Sequence, residues 1–209
     1  MTRDSMIQLP HLYAIVDRSS FARPQELVAM AEELSAAGVR LLQYRDKSAN
    51  PRSILEVAVQ LRRHLGGSLR LILNDRADLA CAAEFAGVHV GQDDLSVEGA
   101  RKVIGASLWL GVSTHRPEQV EAADQTSADY IAIGPVFPTS SKTRPDPVVG
   151  LEGVRSVRPL TRKPLVGIGG ITRQNCRSVL AAGADSVAVI SDLLREPRKS
   201  AEEFLAILG

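Results

Sequence analysis

The sequence predicts an α/β chain closed into a (β/α)8 TIM barrel, and three observations carry that expectation. Apolar runs of four to six residues recur along the chain, most of them nearly continuous, as in parallel strands covered on both faces. Helix-forming segments separate the runs. The count reaches eight β/α pairs, the number that closes a barrel. A doubly wound open sheet uses the same alternation. Eight units and no recognisable nucleotide-binding half favour the barrel. At 209 residues the chain is short for this fold, so its loops are lean, and residues 1–209 read as one domain.

In chain order, the strand-like runs are LYAIVD (12–17), RLLQYR (40–45), RLILND (70–75), GVHVG (87–91), LWLGVS (108–113), YIAIGP (130–135), PLVGIG (164–169) and SVAVIS (186–191). The first helix, PQELVAMAEELSAAG (24–38), has Pro24 in its first turn and stops at Gly38. The second, PRSILEVAVQLRRHLGG (51–67), repeats that grammar with Pro51 and Gly66–Gly67. Shorter patterns follow at 76–87, 97–105, 116–128, 150–159 and 172–184, and SAEEFLAIL (200–208) closes the series. The fourth of these helices, VEGARKVIG, is the weakest. One conspicuous loop, GPVFPTSSKTRPDPVV (134–149), carries four prolines that oppose helix and strand alike. Its place after the sixth strand suits a lid or ligand-gripping loop.

Composition removes several function classes. The formal net charge is +1, and no basic stripe or arm marks a nucleic-acid binder. No run approaches membrane-spanning length and the first residues carry no apolar targeting segment, so a cytoplasmic protein is expected. Cys81 and Cys176 lie far apart in no CxxC pattern and read as small core fillers. No Cys/His cluster suggests zinc, and no nucleophile elbow, Walker loop or GxGxxG is present. His89 reads as a hydrogen-bonded residue inside the barrel, and His115 sits at a strand end. Self-association stays open.

Barrel chemistry collects at the C-terminal ends of strands. There the sequence places Asp17, then Gln43, Arg45 and Lys47, then Asn74 and Asp75. Gly91 to Asp94, Ser113, the Thr139–Lys142 loop, Gly169–Gly170 and Ser191 follow. Arg45, Lys47 and Lys142 are cations from two strand ends, suited to a pyrophosphate. Asp75 and Asp94 are hard oxygen ligands from adjacent strands, the kind that link Mg2+ to phosphates. Gly169–Gly170 and Ser191 suit a second anion after strands seven and eight. Two anionic subsites and a divalent metal describe a two-substrate enzyme. Structural alternatives stand beside this: Arg45 and Asp46 as a surface ion pair, Asp75 as a helix cap, and Asp93–Asp94 as a turn capped by Ser96.

The motifs QYRDK (43–47), LND (73–75), GVHVGQDDL (87–95), GVSTH (111–115), GPVFPTSSK (134–142), VGIGG (166–170) and VIS (189–191) together resemble the thiamine-phosphate synthase family. The resemblance runs in order through nearly the whole chain. It implies a (β/α)8 transferase that condenses two small phosphorylated molecules with Mg2+. These are 4-amino-2-methyl-5-(diphosphooxymethyl)pyrimidine and a thiazole phosphate, giving thiamine phosphate and diphosphate. It further implies that Gln43, Tyr44, Arg45, Asp46, Lys47, Asn74, Ser113 and Lys142 hold the pyrimidine diphosphate, with Arg45, Lys47 and Lys142 acting on the leaving group. Asp75 and Asp94 would take the metal. Thr139, Ser140, Ser141, Gly170, Ile190 and Ser191 would surround the thiazole phosphate.

Two positions depart from the family pattern. Ser141 stands where Thr is usual, keeping the hydroxyl. Asp192 stands where a small apolar residue is usual, and is expected to point away from the phosphate. A thiazole tautomerase of the same superfamily need not keep the Gln-x-Arg-x-Lys set and both aspartates. A sugar-phosphate isomerase or epimerase needs one phosphate site. A non-catalytic ligand-binding regulator would have no need of the full polar face.

Overall fold

The computed structural model describes residues 7–47, 50–139 and 146–209. Eight parallel strands close on themselves: β1 (Leu12–Asp17), β2 (Leu41–Arg45), β3 (Arg70–Asn74), β4 (Gly87–Val90), β5 (Trp109–Thr114), β6 (Tyr130–Ile133), β7 (Leu165–Ile168) and β8 (Ser186–Val189), with β8 paired back to β1. The crossovers are α1 (Pro24–Ala36), α2 (Pro51–Leu65), α3 (Ala77–Ala82), α4 (Val97–Ile104), α5 (Pro117–Asp124), α6 (Gly150–Val157) and α7 (Cys176–Ala181), and α8 (Pro197–Leu208) follows β8. No helix among the described residues is long and apolar enough to cross a membrane.

The near-continuous apolar runs resolve into two cores. Tyr13, Ile15, Leu41, Ile72, Tyr130, Ala132, Val166 and Ala188 pack together inside the barrel. The alternate residues, among them Ala14, Val16, Leu42, Tyr44, Leu71 and Leu73, join Leu27, Leu34, Leu61 and Phe204 of the helices in the outer core. Side chains alternate across a strand, so a strand with both faces buried carries apolar residues at consecutive positions.

Local signals fix the helix ends. Pro24 opens α1, where Arg23 and Glu26 form a reciprocal capping arrangement. Asn50 accepts a hydrogen bond from the Ser53 N–H at the start of α2, and Ser96 accepts one from the Gly99 N–H at the start of α4. Several helices are shorter than their sequence patterns. The expected helix at 172–184 begins only at Cys176, because the Asn175 side chain accepts from the Thr172 N–H and folds that stretch into a turn. The expected helix at 76–87 stops at Ala82, and Glu84 then takes a positive φ of 54°. Cys81 is not a core filler. α3 buries Ala77, Leu79 and Ala80 and leaves Cys81 exposed, whereas Cys176 is buried as expected.

Candidate active site

The C-terminal ends of the strands enclose a cavity of about 550 Å3. Gln43, Arg45, Lys47, Asn74, Asp75, Asp94, Ser113, Thr139, Gly170, Ile190 and Ser191 all line it. Tyr44 and Asp46 do not. The pleat of β2 turns Gln43 and Arg45 into the barrel and sends Tyr44 outward, where it is fully buried in the outer core and its hydroxyl donates to Asp46 at 3.2 Å. The expectation that these two side chains contact the pyrimidine diphosphate is thus corrected by strand alternation. Ser140, Ser141 and Lys142 lie outside the described residues.

Arg45 is held by Asp17, its parallel neighbour at the end of β1. Asp17 also accepts from the Ser19 N–H at 3.0 Å and the Ser19 hydroxyl at 2.7 Å, so the carboxylate is anchored before it meets the guanidinium. The reading of Arg45 and Asp46 as a surface ion pair does not describe this arrangement.

Lys47 lies between the two carboxylates, its Nζ 2.5 Å from Asp75 Oδ2 and 3.4 Å from Asp94 Oδ1. Asp75 caps no helix. It adopts a positive φ of 60°, and its backbone N–H donates to His89 O at 2.7 Å, which aims the side chain at the cavity. Burial pushes the Asp75 carboxyl up to about 6, the hydrogen bond with Asp94 adds to the rise, and Lys47 opposes it. Burial acts upward on Asp94 as well. Hydrogen bonds with Asp75 and the Gly91 N–H, together with the Lys47 charge, outweigh it and hold Asp94 below the usual carboxylate range. Burial likewise works against the Lys47 ammonium, but the two carboxylates raise it overall.

Two carboxylates this close, one resisting ionisation and sharing an ammonium with the other, form a site short of positive charge. That donor set fits a hard divalent cation whose remaining ligands are phosphate oxygens and water. Among the described residues no group of three or more His, Cys, Asp or Glu is arranged to hold a metal ion. Asn74 next door contributes differently. Its Nδ2 is buried and has no hydrogen-bond partner among the described residues.

Across the cavity, the β7 end and the loop after β6 interlock. The Val136 N–H donates to Ile168 O at 2.8 Å and the Phe137 N–H to Gly169 O at 3.0 Å. Gly169 and Gly170 have positive φ of 98° and 62°, and a Cβ on either would strike Pro135 or Phe137. Ser191 and Ile190 adjoin this wall. Asp192 turns away from the cavity and accepts from the Arg173 backbone N–H at 2.8 Å and from its guanidinium.

His89 is hydrogen-bonded inside the barrel, to Tyr130 and Ser113. His115 lines the cavity, with Nδ1 2.6 Å from Gly134 O and Nε2 3.5 Å from Asp146. Sequence reasoning missed Tyr13, Gln119 and Asp146 as lining residues, and missed Asp17 as the partner of Arg45. The strand alternation of LYAIVD, which carries Tyr13, Ile15 and Asp17 to one face, was the available signal.

The Thiamine monophosphate synthase family model matches residues 12–193. A thiamine-phosphate synthase of Koribacter versatilis is 60% identical over 98% of this chain and 98% of its own length. The enzyme of the same name from Shouchella clausii is 38% identical over 94% of this chain and 95% of its own. Among solved structures, thiamine phosphate pyrophosphorylase from Pyrococcus furiosus superposes with a TM-score of 0.84 at 34% identity, covering 94% of each chain. Matches of that identity and coverage establish that the chain belongs to the thiamine monophosphate synthase family.

Proposed function

We propose that this protein is a transferase that joins 4-amino-2-methyl-5-(diphosphooxymethyl)pyrimidine to a thiazole phosphate, releasing thiamine phosphate and diphosphate. The observation that carries the reading is one cavity with two unlike halves. Arg45, Lys47, Asn74, Asp75 and Asp94 form one wall, and Thr139, Gly170, Ile190 and Ser191 form another. Family membership supplies the reaction that needs two such halves.

Arg45 and Lys47 bind the diphosphate and stabilise the negative charge that grows as it departs. Lys142 is expected to join them from the loop after β6. The Asn74 amide donates to a diphosphate oxygen. Asp75 and Asp94 would hold Mg2+, which supplies charge neutralisation at the leaving group when bound. Gln43 and Ser113 orient the pyrimidine, whose 4-amino group shares the positive charge left on the exocyclic carbon. Gly170, Ile190, Ser191, Thr139, Ser140 and Ser141 hold the thiazole phosphate so that the ring nitrogen faces that carbon. No protein nucleophile takes part, and orientation provides most of the acceleration.

The site sits in one barrel domain. Two unpaired cysteines, Cys81 and Cys176, agree with a reducing, cytoplasmic setting. Incubating the protein with both precursors, with and without Mg2+, and assaying thiamine phosphate and diphosphate tests the proposal. Stoichiometric formation of both products with Mg2+ is expected. Absence of product with both substrates and metal present would refute it.

A further inference from the structure

Beneath the cavity, five side chains from five strands form one hydrogen-bonded line across the barrel. Gln43 Nε2 donates to the Tyr13 hydroxyl at 2.8 Å, which lies 3.0 Å from the Tyr130 hydroxyl. Tyr130 is 3.1 Å from His89 Nδ1, and His89 Nε2 is 2.9 Å from Ser113 Oγ. The three middle members are at most 6% exposed, so their polar atoms depend on partners inside the protein. Gly111 makes the crossing possible, because a Cβ there would occupy the space where Tyr130 and His89 meet. The two end residues, Gln43 and Ser113, both line the cavity.

With a neutral His89 such a line has two self-consistent senses, and proton counting couples them end to end. Burial pushes both phenols, Tyr13 and Tyr130, well above their ordinary range, so each keeps a single proton and donates once. If Gln43 donates to Tyr13, then Tyr13 donates to Tyr130 and Tyr130 to His89 Nδ1. His89 must then carry its proton on Nε2 and donate it to Ser113. Gln43 Oε1 is left facing the cavity as an acceptor, and the Ser113 O–H as a donor. In the opposite sense both ends invert.

We infer that Tyr13, Tyr130 and His89 are positioning residues that lock this line in the first sense and thereby set an acceptor–donor code that selects a 4-aminopyrimidine edge over its 4-oxo analogue. The inference rests on the pyrimidine assignment under Proposed function and deepens it. An aminopyrimidine offers an N–H donor beside a ring-nitrogen acceptor, the complement of Gln43 Oε1 and Ser113 O–H. The 4-oxo ring in its N–H form offers the reverse pair, which the locked line meets with two like groups. A site built on buried polar groups rejects such a mismatch strongly, since the wrong ligand leaves them unpaired.

Two measurements test it. Nitrogen-15 NMR of the ligand-free protein, with His89 assigned against His89→Gln, is expected to show the Nε2–H tautomer. The Nδ1–H tautomer would overturn the inference whatever the enzyme does. In parallel, wild type and Tyr130→Phe are assayed for kcat/KM with the 4-amino and 4-oxo pyrimidine diphosphates. Wild type is expected to favour the amino substrate by at least about 100-fold. The Tyr130→Phe change retains the ring but cuts the line, so the preference should fall about 10-fold or more, and the His89 tautomer should become mixed. A folded Tyr130→Phe with selectivity within about twofold of wild type would sink the inference; should it fail to fold, Tyr13→Phe carries the same comparison. If wild type forms no thiamine phosphate, the functional reading fails, and the tautomer alone still decides the sense of the line.

Discussion

Replacing Asp75 with Asn should move stability and activity in opposite directions. In the metal-free protein its carboxyl is raised to about 6, by burial first and by Asp94 second, against about 3.9 in an unfolded chain. The folded state therefore holds a proton through that interval that the unfolded state has lost. Stability contributed by this group is present below pH 4 and falls as the pH rises toward 6. At neutral pH the full shift corresponds to about 3 kcal/mol of destabilisation. The cavity is open to water and the proton is shared with Asp94, so about 1–2 kcal/mol is the usable figure. Asn removes the charge at nearly constant volume, and the metal-free melting temperature should rise by about 2–8 °C. Mg2+ should then lose its effect. Wild type gains about 1.4 kcal/mol at Mg2+ tenfold above Kd, whereas Asp75→Asn, with one carboxylate left, should gain little. Thermal melts in EDTA and in Mg2+, beside a Mg2+ titration of turnover, make the measurement. A lower melting temperature in EDTA would mean that the Lys47–Asp75 contact is a structural bridge. A near-normal rate in limiting Mg2+ would remove Asp75 from the metal site.

Other substitutions separate the two halves of the cavity. Arg45→Lys keeps the charge but loses the planar fork anchored by Asp17, so kcat/KM for the pyrimidine diphosphate should fall about 10-fold or more. The KM for the thiazole phosphate should hardly change, and an equal effect on both substrates would contradict the assignment. Gly170→Ala adds a Cβ at φ 62° against Phe137 and Pro138, and should raise the thiazole phosphate KM before that of the pyrimidine. Tyr44→Phe removes only the bond to Asp46, and should cost about 0.5–1.5 kcal/mol in denaturant unfolding while leaving both KM values in place. A tenfold kinetic defect in that variant would restore Tyr44 to the site. Because Asp75 binds a proton up to about pH 6, apparent Mg2+ affinity measured by calorimetry should weaken as the pH drops through 6, with proton release on binding.

The barrel was legible because its strands carry an unusual signal. Runs such as LIL in RLILN and YIAI are apolar on consecutive residues, as a strand covered on both faces requires. The count of eight then did the rest. Helix starts were legible where Pro24 or Pro51 opened the first turn or Ser96 stood at the cap, and ends were not. Nothing in a one-dimensional pattern shows that Asn175 spends its side chain on Thr172 and delays α7 to Cys176. Cys81 failed for a related reason. Its surroundings are apolar in sequence, but a six-residue helix shows only one narrow face to the core.

Arg45 shows where reading along the chain and reading across the sheet part company. Along the sequence its nearest carboxylate is Asp46, one position away, and a charge beside a charge invites pairing. Adjacent residues on a strand point to opposite faces, however, so Asp46 is the neighbour Arg45 is least able to meet. The residue it does meet is Asp17, which is 28 positions distant and lies directly opposite in the β1–β2 register. The same geometry separates Gln43 from Tyr44 and joins Gln43 to Tyr13, another β1 residue on the inner face. QYRDK is therefore not five ligands in a row. Gln43 and Arg45 belong to the inner face of the barrel, each supported by a β1 residue. Lys47, beyond the strand end, is taken up by two carboxylates from the ends of β3 and β4. Tyr44 and Asp46 engage each other outside the cavity. A motif at a strand end specifies function through every second residue, and its partners are found on the neighbouring strands.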